Sequence, residues 1–190
     1  MSSPTGAPAS LLLGLTYVRI LLIPVVMGLI LLGPSRNSAY VAAAILFAVA
    51  ATTDFVDGYL ARRWALTTTF GSFLDTTADK LLVSGALIAL VEVDRASAWV
   101  AIIIIGRELV ILGLRGVVAA GGTVFAPSIW GKLKTNVQFV AILLAILRYD
   151  DPLGPLLLDE WAMLAAAAVT VLSAVEYLAR FSSAFSEVSS

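Results

Sequence analysis

The chain has 190 residues, of which 60% are hydrophobic and only 13% charged, and its mean hydropathy is +0.98. Soluble domains average about 45–50% apolar and 25% charged residues, so this composition excludes an ordinary globular protein and predicts an integral membrane protein. A net charge of −1 gives no reason to expect a nucleic-acid partner, the lack of cysteine excludes disulfides and thiol chemistry, and the lack of histidine excludes catalytic triads, histidine metal ligands and phosphohistidine intermediates.

Residues 1–10 (MSSPTGAPAS) are small and polar without a basic n-region, and are expected to form a disordered tail ahead of a single domain at 11–190. About 20 apolar residues cross a bilayer as a helix. Stretches at 11–32, 39–62, 70–92, 97–119, 130–148 and 155–181 meet that length and predict an all-α bundle of six transmembrane helices. Short connections punctuate them at Gly33-Pro34, Arg62 to Thr69, Val93 to Ala96, Gly121-Gly122 through Pro127, and Asp150 to Pro155. If the Arg62-Arg63 turn is cytoplasmic, both termini are too. Arg19, Lys80, Arg107, Arg115, Lys132, Lys134 and Arg180 then fall in the same half, leaving only Arg36, Arg95 and Arg148 opposite, as the positive-inside rule asks.

Acid is concentrated where the second span turns into the third. Asp54 and Asp57 lie about 60° apart around a helix, with Gly58 and Ala61 on the same stripe. Gly71, Asp75 and Asp79 follow at i, i+4 and i+8 on the next helix. In an antiparallel pair Asp54 would face the level of Asp79, and Asp57 that of Asp75. An acid at mid-membrane costs roughly 2.5–3.5 kcal/mol on insertion scales, and four together would repel one another at low dielectric. A compensating cation is expected, and all-oxygen ligands suit Mg²⁺ or Mn²⁺, with two ions about 3.5–4 Å apart able to serve attacking and leaving oxygens. Small residues at Gly58, Ala61 and Gly71 often mark helix packing, but on the acid stripes they would let a nucleotide or its phosphates approach the backbone. Arg62 could grip phosphate bidentately, whereas Arg63 reads as a topology anchor.

The pattern Asp54-x2-Asp57-Gly58-x2-Ala61-Arg62-x8-Gly71-x3-Asp75-x3-Asp79 resembles the full motif of the CDP-alcohol phosphatidyltransferase family. That resemblance implies a six-helix membrane enzyme in which an acceptor hydroxyl displaces CMP from a CDP-linked lipid. It implies metal binding by Asp54, Asp57, Asp75 and Asp79, general-base duty for Asp79, and a homodimer. A carboxylate is also the only base type in the cluster.

Further along, Arg107 and Glu108 sit inside an apolar span, Arg115 is nearly aligned with Glu108 two turns later, and Lys132 and Lys134 open the fifth span. Cations from two segments could hold an anionic substrate, although lysines at an interface also snorkel. The GRE tripeptide, the later arginine and the GKLKT element resemble the phosphatidylglycerophosphate synthase branch. Thr16 and Arg19 match that branch near the amino end, while Leu13 stands where it carries asparagine. The branch implies CDP-diacylglycerol as donor, glycerol 3-phosphate as acceptor, phosphate binding by Arg107, Arg115, Lys132 and Lys134, and a bacterial cell membrane with the site facing the cytoplasm. Alternatives are a cardiolipin synthase or an inositol-phosphate transferase of the same superfamily and, from another class, a cation transporter using the acids as its ion site. After Arg148 the only specific expectation is an i, i+4 pair of Glu176 with Arg180.

Overall fold

The computed structural model describes the backbone of residues 6–64, 69–120, 129–149 and 152–188, and their side chains apart from those at 6–13, 54–64, 69–70, 72, 120, 129–130, 132 and 182–188. The chain divides into two compact units, Met1–Arg95 and Ala96–Ser190.

The first unit holds α1 (Gly6–Leu32), α2 (Asn37–Trp64) and α3 (Thr69–Glu92). The helix α1 begins within the expected tail, because Pro8 falls in its first turn, where a missing N–H costs no intrahelical bond. It packs against both α2 and α3, which touch each other little among the described residues. Val26 and Ile30 from α1, Ala43 and Phe47 from α2, and Leu82, Ala86 and Leu87 from α3 form the core. Close approach of α1 to α3 depends on Gly85, where a Cβ would lie 2.9 Å from Met27 Sδ. At the α1–α2 turn a Cβ on Gly33 would stand 2.2 Å from the Tyr40 ring, and the Arg95 guanidinium lies 3.4 Å from that ring's centroid. The helix α3 ends in a left-handed residue, Asp94 (φ 55°), with the Arg95 N–H donating to Leu90 O and the Asp94 N–H to Val91 O, a Schellman closure.

The second unit holds α4 (Ala98–Ala120), α5 (Ile129–Leu147), a two-residue hairpin of β1 (Pro152–Leu153) and β2 (Leu156–Leu157), and α6 (Leu158–Val188). Here α6 packs on both α4 and α5 over Ile104, Ile111, Ile142, Ile146, Met163 and Ala166. The last helix starts later than the apolar run suggests, since Gly154 (φ 75°) and Pro155 form the turn pairing Leu153 with Leu156. Glu160 then accepts the Leu157 N–H at 2.9 Å, capping the helix start. The helix also continues past the expected end at 181, to Val188. Arg148 (φ 37°) closes α5 and donates twice to Asp159 Oδ2, from Nε and Nη2, each at 3.0 Å.

By length and composition, Gly14–Leu32 and Leu158–Phe181 can each cross a membrane. Polarity is distributed inside out. Leu21, Val25, Ile45, Leu81, Ile88, Leu109, Val171 and Val175 are exposed, whereas Arg19, Glu108, Lys134, Gln138 and Asp159 are buried. Burying ionic groups while presenting aliphatic ones outward suits a hydrocarbon solvent, so the chain has the character of a membrane protein.

Candidate functional site

In the first unit, α3 places Asp75 and Asp79 one turn apart on one face, with Gly71 a turn earlier. Each carboxylate has one oxygen engaged by a base. Arg19 on α1 donates from Nη1 to Asp75 Oδ1 at 2.8 Å, its side chain 1% exposed against 36% for Asp75. Lys80 donates from Nζ to Asp79 Oδ2 at 2.7 Å. The second oxygen of each aspartate has no hydrogen-bond donor among the described residues. Two hard oxygen donors on one face, each with a lone-pair set uncommitted, fit a Mg²⁺- or Mn²⁺-type ligand set. Asp54, Asp57, Gly58, Ala61 and Arg62 lie in α2, but their side chains are outside the described residues, as is any convergence of all four acids. Among the described residues no group of three or more acidic side chains comes together. The Arg19–Asp75 pair was not anticipated from the motif. Its signal was Arg19 itself, an intramembrane cation that needs a counter-charge.

In the second unit the apolar α4 carries Arg107 and Glu108 at mid-helix, and α5 carries Lys134 near its start. Lys134 Nζ donates to Glu108 Oε1, and Arg107 Nη1 donates to the same oxygen at 3.3 Å. The side chains of Lys134 and Glu108 are 3% and 5% exposed, and Arg107 Nε is buried without a hydrogen-bond partner. Two cations share one carboxylate oxygen here, so basic groups from two helices stand close together, as the binding of a small anion requires. Arg115 is not brought into this cluster. It is exposed and makes no ion pair among the described residues, because seven residues is two turns, which moves its head group about 10 Å along the axis from Glu108. The Lys132 side chain lies outside the described residues.

One turn beyond Lys134, buried Gln138 donates from Nε2 to Thr170 Oγ1 of α6 at 2.8 Å, and Thr170 donates to Ala166 O at 2.6 Å. No sequence motif points to Thr170. Glu176 and Arg180 pair at 2.6 Å, as their spacing predicts.

A family model described as CDP-alcohol phosphatidyltransferase matches residues 13–172. The chain is 45% identical to a CDP-diacylglycerol–glycerol-3-phosphate 3-phosphatidyltransferase of Bacillus subtilis, over 87% of this chain and 92% of that protein. Proteins of the same name from Escherichia coli and Haemophilus influenzae are similar at 40% and 39% identity, each over 86% of this chain and covering 90% and 89% of their own lengths.

Proposed function

The chain belongs to the CDP-alcohol phosphatidyltransferase family, and from that premise we propose that it transfers the phosphatidyl group of CDP-diacylglycerol to glycerol 3-phosphate, releasing CMP. The observation that carries the choice of acceptor is the buried Arg107–Glu108–Lys134 cluster. A doubly charged, small acceptor needs several cations, and this cluster supplies them, whereas a lipid acceptor needs a wider lateral opening. The names of the relatives in B. subtilis, E. coli and H. influenzae support the same reading.

In this reading all six helices cross the cell membrane of a bacterium, both termini are cytoplasmic, the reaction faces the cytoplasm, and the protein is a homodimer. Asp54, Asp57, Asp75 and Asp79 hold Mg²⁺ or Mn²⁺. Bound there, the ions neutralise the diphosphate and the charge developing on CMP. Arg19 orients Asp75 through one oxygen, leaving the other free to bind. Asp79 takes the proton of the acceptor hydroxyl as that oxygen attacks the lipid-side phosphorus and the bond from phosphorus to the CMP oxygen breaks. Gly58, Ala61 and Gly71 give the nucleotide access to the helix backbone, and Arg62 pairs with its phosphate. Arg107 and Lys134 hold the acceptor phosphate, and Lys132 is assigned to the same task from its place in the GKLKT element.

The test offers purified protein CDP-diacylglycerol with glycerol 3-phosphate, phosphatidylglycerol or inositol phosphate and identifies the lipid product. Phosphatidylglycerol phosphate and CMP are expected with the first acceptor alone. Cardiolipin from the second, or no CMP from any of them, would overturn the assignment.

A further inference from the structure

We propose that Glu108 is a positioning residue for acceptor binding: its carboxylate reaches from α4 to α5 and holds the head groups of Arg107 and Lys134 side by side, so that one phosphate can take both. The proposal rests on the reading that Arg107 and Lys134 hold the acceptor phosphate. On charge alone Glu108 is out of place there, because an anion among phosphate-binding cations repels the ligand. Its contacts give it a use. Lys134 Nζ and Arg107 Nη1 both donate to Oε1, the second at 3.3 Å, and the side chains of Glu108 and Lys134 are 5% and 3% exposed. A carboxylate oxygen has two lone pairs, so one atom can serve both donors and bring them together. Without an anion between them, two cations in an apolar span repel each other at low dielectric and turn apart.

Helix packing does not replace this tie. Both α4 and α5 pack on α6 and scarcely on each other among the described residues. Arg107 belongs to α4 and Lys134 to α5, so the Glu108–Lys134 contact bridges helices whose packing does not fix their spacing. Lysine carries its ammonium on a flexible four-carbon stem, which finds other positions once the carboxylate is gone. Arg107 also keeps a donor in reserve. Its Nε is buried with no hydrogen-bond partner among the described residues, so the guanidinium can hold Glu108 through Nη1 and a phosphate through the rest of its fork. Glu108 then acts on the acceptor through these two cations.

The experiment measures kcat and the KM of each substrate, by CMP release, in the wild type, Glu108→Gln and Lys134→Met. Glu108→Gln keeps the size of the side chain and removes its charge. The KM for glycerol 3-phosphate should rise about tenfold or more, the value of one charge-assisted hydrogen bond, without a matching rise for CDP-diacylglycerol. A KM for glycerol 3-phosphate that stays or falls would mean that Glu108 only offsets charge, and would overturn the proposal. Equal rises for both substrates, or a lower kcat with both KM values intact, mark a merely structural role and overturn it too. In the double variant Glu108→Gln/Lys134→Met the rise should fall short of the product of the single rises, because the two residues act as a unit; the full product counts against the proposal. If Glu108→Gln does not fold, Glu108→Asp keeps the charge, shortens the reach by one methylene and should raise the same KM; an unchanged KM there overturns the proposal equally. Lys134→Met alone separates the two layers. An unchanged KM for glycerol 3-phosphate in that variant defeats the acceptor-site reading and the proposal with it, whereas a raised KM there beside an unchanged KM in Glu108→Gln defeats the proposal alone.

Discussion

At Asp79 a carboxylate oxygen accepts from Lys80 at 2.7 Å while the other oxygen stays available, and a general base needs that free lone pair. Asp79→Asn keeps the size and the hydrogen-bonding shape but cannot accept the proton. Turnover measured as CMP release should fall by more than about 10³-fold, near the upper part of the range for general-base loss. Nucleotide binding should remain measurable by equilibrium titration, and normal turnover would remove Asp79 from the role. Lys134 has a different burden, because it offsets the charge of a carboxylate that is almost wholly buried. Lys134→Met removes one cation from Glu108 and leaves its contact with Arg107 in place. Breaking a buried pair by removing one partner costs about 3–5 kcal/mol, and the surviving Arg107 contact puts the expected loss near about 3 kcal/mol. Denaturation in detergent would measure that loss.

Elements meet in this protein through small residues and through a few ionic ties. The α1–α2 turn has no room for a methyl group at Gly33, since it would stand 2.2 Å from the Tyr40 ring. Gly33→Ala should displace that ring from beneath Arg95 and destabilise the protein by about 1–3 kcal/mol, as overpacking does. A lowered Tm in Gly33→Ala, absent when Tyr40→Ala is made first, would establish the clash as its cause. At the opposite end of the chain, Arg148 holds a left-handed backbone while its guanidinium is tied to buried Asp159, whose Oδ1 has no partner. A residue in such a conformation persists when its surroundings over-determine it. Asp159→Leu alone leaves Arg148 without the carboxylate, and should cost more stability than the Arg148→Gly/Asp159→Leu pair, in which glycine accepts the same φ without strain. Equal losses in the single and double variants would show that the ion pair does not hold the α5 end.

For the whole molecule the outward aliphatic faces and buried charges give the character of a membrane protein, and the distribution of basic residues is the basis of the proposed orientation. The chain has no cysteine, so single cysteines report topology cleanly. In intact cells, Ser97→Cys, exposed at the start of α4, should react with a membrane-impermeant maleimide, while Ser3→Cys should react only after permeabilisation. The reverse pattern would invert the assigned orientation. Chelation with EDTA should abolish CMP release, and Mg²⁺ or Mn²⁺ should restore it without refolding. Full activity in EDTA would sink the metal assignment.

The sequence by itself determined the six helices, since twenty-residue apolar runs broken by glycine and proline leave helix as the only economical way to satisfy backbone groups. It also pointed to the family, through the resemblance of the motif from Asp54 to Asp79, and the family model matches residues 13–172. Spacing placed Asp75 and Asp79 on one face and Glu176 against Arg180, because such relations depend only on 3.6 residues per turn. Only the tertiary structure decided that α1 packs against both α2 and α3, that Arg19 serves Asp75, that Lys134 meets Glu108, and that Thr170 accepts from Gln138. These are contacts between residues far apart in the chain. No local period encodes them, so they follow from which helix packs on which.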